Sequence, residues 1–140
     1  MSHRIEWQHD GRRIVLPVLL LPPQPSIDLS GIPATALLDT GSTTSGLTAR
    51  AAKTLGLPQR GKRPLGSAQG EGQAERYLFR FGMHLDQDAP SFPYVFDDVI
   101  GFELADSFSL DALIGMDVLR KCDFSIDRHG QCVLKFGRPA

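Results

Sequence analysis

The longest apolar run in the sequence spans residues 14–21, contains Pro17 and ends at Pro22-Pro23. A bilayer span needs about 20 residues. A helix interior would lose a hydrogen bond at Pro17 and clash with the preceding turn. Residues 12–20 therefore read as one strand, and Pro17 places that strand at a sheet edge. The same punctuation governs the whole chain: 14 Gly and 10 Pro make up 24 of 140 residues. That density excludes a helix bundle and suits short strands joined by tight turns. An apolar share of 41% supplies one domain's core.

Local signals place the elements. Residues 1–12 are polar and read as an N-terminal extension that frays or lies across a partner, with residues 13–140 as a single domain. Residues 33–39 read as a buried strand ending at Asp39. Residues 48–55 are the clearest helix, with Thr48 as N-cap and Gly56 at the left-handed position that ends it. Residues 60–84 read as a long hairpin in which Tyr77, Phe79 and Phe81 alternate with Arg76, Leu78 and Arg80 and Gly70-Glu71-Gly72 forms the tip. A strand near residues 94–100, a short strand at Leu113-Ile114-Gly115, a short helix over 116–121 and a final hairpin turning at His129-Gly130 complete the reading.

Composition removes several functions. The 15 basic and 16 acidic side chains nearly balance, whereas a general nucleic-acid binder carries a basic surplus. The segment before residue 14 mixes Glu6 and Asp10 with Arg4, Arg12 and Arg13, which does not suit a signal peptide, so a cytoplasmic protein without membrane contact is expected. The final hairpin sets Cys132 opposite residues 125–127 rather than opposite Cys122, so the two cysteines are expected to be free. His3, His9, His84 and His129 pair with no cysteine at metal-ligand spacing, and no metal site is expected.

The segment that carries chemistry is Ala36-Leu37-Leu38-Asp39-Thr40-Gly41-Ser42-Thr43. A hydrophobic strand delivers one carboxylate to its end, and a glycine then lets the backbone turn sharply beside it. The N–H of Gly41 can donate to Asp39, the Ser42 hydroxyl can orient the outer carboxylate oxygen, and Thr40 can bond to another copy of the same loop. As an isolated triplet, Asp-Thr-Gly also fits an Asx turn at a strand end.

The run resembles the active-site loop of aspartic peptidases, in which two apolar residues precede Asp-Thr/Ser-Gly-Ser/Ala. Ala112-Leu113-Ile114-Gly115-Met116-Asp117-Val118-Leu119 resembles the second signature of that family, an apolar-apolar-Gly strand entering a short helix. The helix ending Leu55-Gly56-Leu57 follows at the spacing of the single-domain, retroviral-type (retropepsin-like) members. The resemblance covers residues 13–136. It implies an all-β, closed, barrel-like acid protease fold with one or two short helices. It further implies that Asp39 is catalytic with Thr40, Gly41 and Ser42 as loop support, and that Gly115 packs behind the loop beside Leu113 and Ile114. Ser67, Ala68, Gln69, Gly70, Glu71 and Gly72 fall where the family's substrate-covering flap belongs.

Aspartic peptidase chemistry needs two carboxylates sharing a proton. This sequence holds a single Asp-Thr-Gly and no second such triplet, so the resemblance implies a homodimer with Asp39 from each chain, a peptide or protein substrate, and no cofactor. A cleft lined by Val99, Ile100 and Leu113 implies cleavage between hydrophobic residues, with Arg63, Arg76 and Arg80 favouring acidic residues further out. Residues 132–136 are the expected shared-sheet segment. The chain departs from the viral pattern at Met116, where an Arg usually pairs with an Asp shortly beyond the loop; Thr43-Thr44-Ser45 supplies no such acid. The rival reading is a non-catalytic peptide-binding or dimerisation module that keeps the fold.

Overall fold

The computed structural model describes residues 2–27, 31–67, 70–84 and 93–137. Period-two burial builds its first strands. Leu16, Val18 and Leu20 of β2 (Val15–Leu21) are buried, as are Ala34, Ala36 and Leu38 of β3 (Ile32–Leu38). The two strands run antiparallel, with Val15 opposite Leu37 and Leu20 opposite Ile32. The other strands are β1 (Ser2–Gln8), β4 (Gly46–Thr48), β5 (Gln59–Ser67), β6 (Gly70–Met83), β7 (Tyr94–Leu104), β8 (Ala112–Ile114), β9 (Asp123–Ile126) and β10 (Gln131–Gly137). Helices α1 (Ala49–Leu55) and α2 (Met116–Leu119) complete the order.

One sheet runs β2-β3-β8-β4-β7-β6-β5, and β6 pairs back onto β2 at Leu19, Leu20 and Leu21. Six strands therefore close a ring and β5 hangs from β6 outside it. Closure removes the exposed edges that an open sheet would leave. Phe79, Phe81, Met83, Leu47 and Ile114 fill the interior, and the Phe79 and Phe81 rings meet edge-on at 5.0 Å. This is the all-β, barrel-like fold with two short helices that the resemblance implies. Contrary to the edge position expected from Pro17, β2 lies between β3 and β6 in the ring; Pro17 is tolerated because it sits in the part of β2 that pairs with β3 alone.

Helix α1 follows its sequence signals. The Thr48 hydroxyl accepts the Ala51 N–H at 3.2 Å, and Gly56 stops the helix at φ +67°. Ala51 and Ala52 are buried, and Leu55 packs at the margin of the core. Among the described residues no helix is long and apolar enough to cross a membrane.

Three elements differ from the sequence reading. Residues 2–8 do not fray: β1 pairs along its whole length with β10, with Ile5 opposite Leu134 and Trp7 opposite Cys132. Its side chains alternate between half-buried and exposed, so Arg4, Glu6 and Gln8 lend the segment a polar composition while Ile5 and Trp7 pack on the core. The long hairpin turns two residues earlier than expected. Ser67 pairs with Gly70, and Gly70, Glu71 and Gly72 lie in β6 opposite β5, while Ala68 and Gln69 lie outside the described residues. The third difference concerns β10, which is the middle strand of a second sheet ordered β1-β10-β9. It has no edge left to share.

Cys132 stands opposite Ile126, and both cysteines are free. Burial pushes the Cys122 thiol up to about 11 and raises that of Cys132, so neither forms a ready thiolate at neutral pH.

The Trp7 ring lies 6.2 Å from Phe124 of β9 across β10. Trp7→Ala is expected to lower the unfolding free energy by about 2 kcal/mol, below the cost of emptying a fully enclosed site. Urea denaturation measures this. A change within about 0.5 kcal/mol, as at an ordinary surface position, would restore the reading of residues 1–12 as a loose extension.

Candidate active site

Asp39 is the first residue beyond β3, directly after buried Leu38. Its backbone is fixed before its side chain is considered: the Leu38 N–H donates to Ile14 O at 2.8 Å and the Asp39 N–H to Ile114 O at 2.9 Å. The carboxylate is then held from its own loop. The Gly41 N–H donates to Asp39 Oδ1 at 2.8 Å, and the Ser42 N–H to the Asp39 carbonyl at 3.3 Å. A Cβ on Gly41 would lie 3.2 Å from that same Oδ1, a tight contact that would press on the carboxylate by a few tenths of an ångström. Asp39 is half-buried, while Thr40 and Gly41 are exposed.

Strand β8 brings the second signature to this loop. It runs parallel to β3, with Leu37 beside Leu113 and Leu38 beside Ile114. Three consecutive residues of that segment then address the loop. Ile114 O accepts from Asp39, the Gly115 N–H donates to Ser45 Oγ at 3.0 Å, and the Met116 N–H donates to Ser42 O at 2.8 Å. Gly115 packs directly behind the loop, since a Cβ there would stand 2.5 Å from Thr44 O and 3.0 Å from Ser42 O.

Two residues of the site escaped the sequence reading. Ser45 is 1% exposed. Its hydroxyl donates to Asp117 Oδ1 at 2.7 Å and its N–H to Asp117 Oδ2 at 3.0 Å. Asp117 also accepts the Val118 N–H at 2.9 Å. The available signal was one acid inside the apolar run over residues 112–119. Where the viral pattern sets a helix-side Arg against a loop-side acid, this chain sets a helix-side acid against a loop-side serine.

Other expected positions fall differently. The Ser42 hydroxyl donates to Thr44 O at 2.7 Å and not to the Asp39 carboxylate. Leu113 lines a pocket of about 160 Å³ beside the loop, together with Ser42, Thr44, Phe102 and Leu104. Val99 is instead buried in the barrel core, and Ile100 is exposed. Arg80 is buried too, and its guanidinium donates to Pro22 O and Ser26 O at 2.5 and 3.2 Å, so it braces the proline-rich loop rather than facing a ligand. Of the flap positions, Ser67 ends β5 and Gly70, Glu71 and Gly72 begin β6, in the hairpin outside the ring. Among the described residues no cluster of three or more His, Cys, Asp or Glu could hold a metal ion.

A closed barrel with one strand-end carboxylate, backed by the glycine of a second signature strand, has the retropepsin-like architecture. A retropepsin-like aspartic protease from Rickettsia conorii superposes with a TM-score of 0.70 at 17% identity, over 97% of this chain and 92% of that one. The EIAV protease, in a complex with the inhibitor HBY-793, gives 0.50 at 18% identity, over 79% of this chain and 88% of that one. No curated protein compared with the sequence matches it. The aspartyl protease family matches over residues 26–118, and the chain belongs to that family.

Gly115 has φ −102°, open to any residue, so its requirement is one of contact alone. Gly115→Ala must push the Thr44 carbonyl away, and overpacking of this kind costs about 1–3 kcal/mol. Equilibrium urea denaturation measures the loss. An unchanged midpoint would show that the loop does not rest on this glycine.

Proposed function

We propose that the protein is an aspartic endopeptidase that works as a homodimer, with Asp39 of each protomer forming the catalytic pair. The observation that carries this reading is the pose of Asp39. It is a strand-end carboxylate with Oδ1 held by the Gly41 N–H at 2.8 Å, in the single Asp-Thr-Gly of the sequence. Two such carboxylates brought together cannot both ionise, so one keeps a proton and the other does not. The ionised member takes a proton from water as the water attacks the scissile carbonyl. The protonated member donates a hydrogen bond to the carbonyl oxygen as charge develops there. No cofactor takes part. The β5–β6 hairpin, attached through β6 alone, serves as the flap over the peptide. Leu113, Phe102 and Leu104 give the loop-side pocket an apolar wall, beside Glu103 and the loop hydroxyls, and that wall favours hydrophobic residues flanking the cleaved bond, each worth about 1.5–3 kcal/mol when buried.

A peptide-library assay with wild type and Asp39→Asn side by side tests the chemistry. The amide cannot take the proton, and hydrolysis is expected to vanish while the barrel stays folded by circular dichroism. A folded Asp39→Asn protein with most of the wild-type turnover would end the peptidase reading and leave a binding module.

The dimer surface follows from the unpaired strands. With β10 paired on both sides, the terminal sheet offers the outer edges of β1 and β9. The β9 edge suits a second copy better. Ile126 at its end is exposed, and β9 follows α2, whose exposed Met116 sits on the Asp39 loop. An antiparallel strand can pair with its own copy across a two-fold axis, which is the symmetry that two equivalent Asp39 carboxylates require. Met116→Lys and Ile126→Lys are expected to shift sedimentation toward ~15 kDa and to remove activity together. Specific activity of the wild type should fall on dilution by mass action. A wild-type species that sediments as a monomer and keeps full activity would refute the shared pair.

A further inference from the structure

We infer that Asp117 is a positioning residue for Asp39, acting through Ser45, an inference that rests on the peptidase reading above. The Asp117 carboxylate takes both donors of one residue, the Ser45 N–H at 3.0 Å and the Ser45 O–H at 2.7 Å, and completes its set with the Val118 N–H at 2.9 Å. Hydrogen bonds to an ionised acceptor are the strong ones, and Ser45 is withdrawn from water.

Ser45 passes the constraint on in two directions. Its hydroxyl oxygen accepts the Gly115 N–H at 3.0 Å, which fixes the residue between Ile114, whose carbonyl holds the Asp39 N–H, and Met116, whose N–H holds Ser42 O. Its own carbonyl accepts the Phe102 N–H at 3.1 Å, which ties the far end of the loop to β7. The loop over residues 39–45 is thus anchored at Asp39, at Ser42 and at Ser45. At Ser45 the backbone bond to Phe102 is joined by side-chain bonds, through the Asp117 carboxylate and the Ser45 hydroxyl. Releasing the side-chain bonds frees the segment whose Gly41 N–H holds the Asp39 carboxylate. The three bonds of Asp117 run to Ser45 and Val118 of its own chain, so its effect is on the pose of Asp39.

Asp117→Asn tests this with no change of volume. The amide offers one acceptor oxygen and one NH₂ group to three donors, so the set cannot be satisfied. The experiment pairs steady-state kinetics on a hydrophobic peptide with amide hydrogen exchange of the intact protein. The expected result is a kcat lower by about 10- to 100-fold, as small misplacements of catalytic groups give, with KM within about threefold. Exchange at Gly41, Ser42 and Ser45 should accelerate while Phe79 and Phe81 in the barrel keep their protection. Ser45→Ala removes only the hydroxyl arm, should shift both readouts in the same direction, and serves if Asp117→Asn does not fold. Unchanged loop exchange in the folded variant overturns the inference, and so does faster exchange with wild-type kcat. If the wild type cleaves no peptide, the peptidase reading fails by itself, and the exchange data alone decide whether Asp117 fixes the loop.

Discussion

Strand β8 lies between β3 and β4, so the chain that leaves β3 must cross the end of β8 to reach β4. That crossing is the constraint on which the site depends. Parallel pairing with β3 on one side and antiparallel pairing with β4 on the other hold β8 in place. The residues that follow it then lie directly beneath the crossing loop. Crowding there is severe: a side chain at Gly115 would strike Thr44 O at 2.5 Å, and one at Gly46 would strike Phe102 O at 2.7 Å. Glycines at both points let backbone meet backbone. The buried peptide groups are then satisfied by each other rather than by water, as enclosed backbone requires.

This arrangement explains why a carboxylate at this point can be both anchored and accessible. The Asp39 N–H is fixed from below by Ile114 O, and Oδ1 is fixed by Gly41. Both restraints come from backbone, which cannot rotate away as a side chain can. Thr40 and Gly41 remain exposed at the top of the crossing. The chain thereby presents a strand-end carboxylate on the outside of a closed barrel, which in the proposed dimer is half of a two-carboxylate site. The closed ring has no free edge, so in the proposed dimer association falls to the terminal sheet and to the loop face.

Features governed by neighbours in sequence were legible, and those governed by contacts across the fold were not. Thr48, Gly56 and the pairing of Cys132 with Ile126 follow from capping and turn chemistry within a few residues, and each stands where the sequence placed it. The strands read at residues 33–39 and at Leu113-Ile114-Gly115 were legible because each apolar run ends at an informative residue, although the second is Ala112–Ile114 and Gly115 caps α2; their parallel pairing came only from the fold. Strand β1 was hidden because its outward face is charged and its inward residues, Ile5 and Trp7, are half-buried. The hairpin was shifted because two glycines suggest a turn, whereas the registry of β5 with β6 places Gly70 and Gly72 in the ladder. The sequence reading gives the Ser42 hydroxyl to the Asp39 carboxylate and no role to Ser45. Only the crossing decides that Ser42 bonds within the loop while Ser45 faces Asp117.

The exchange of the viral Arg for Met116 and the capture of Ser45 by Asp117 are two sides of one change. An ion pair at that position joins loop to helix through two long or charged side chains. A carboxylate on a serine does the same with a shorter reach, because a single Ser45 supplies both an N–H and an O–H. The Asp117 charge is consumed within its own chain, by two donors from the loop and one from α2. Met116 is left with an apolar side chain facing out, and its backbone N–H still performs the anchoring at Ser42. In the proposed dimer the contact next to the catalytic pair is then apolar rather than ionic. Apolar contact draws its strength from water release and weakens on cooling, whereas an exposed ion pair is weakened by salt. In the proposed dimer, Met116 and Asp117 thus separate the rigidity of the loop, kept by hydrogen bonds inside each chain, from association, left to hydrophobic burial and strand pairing.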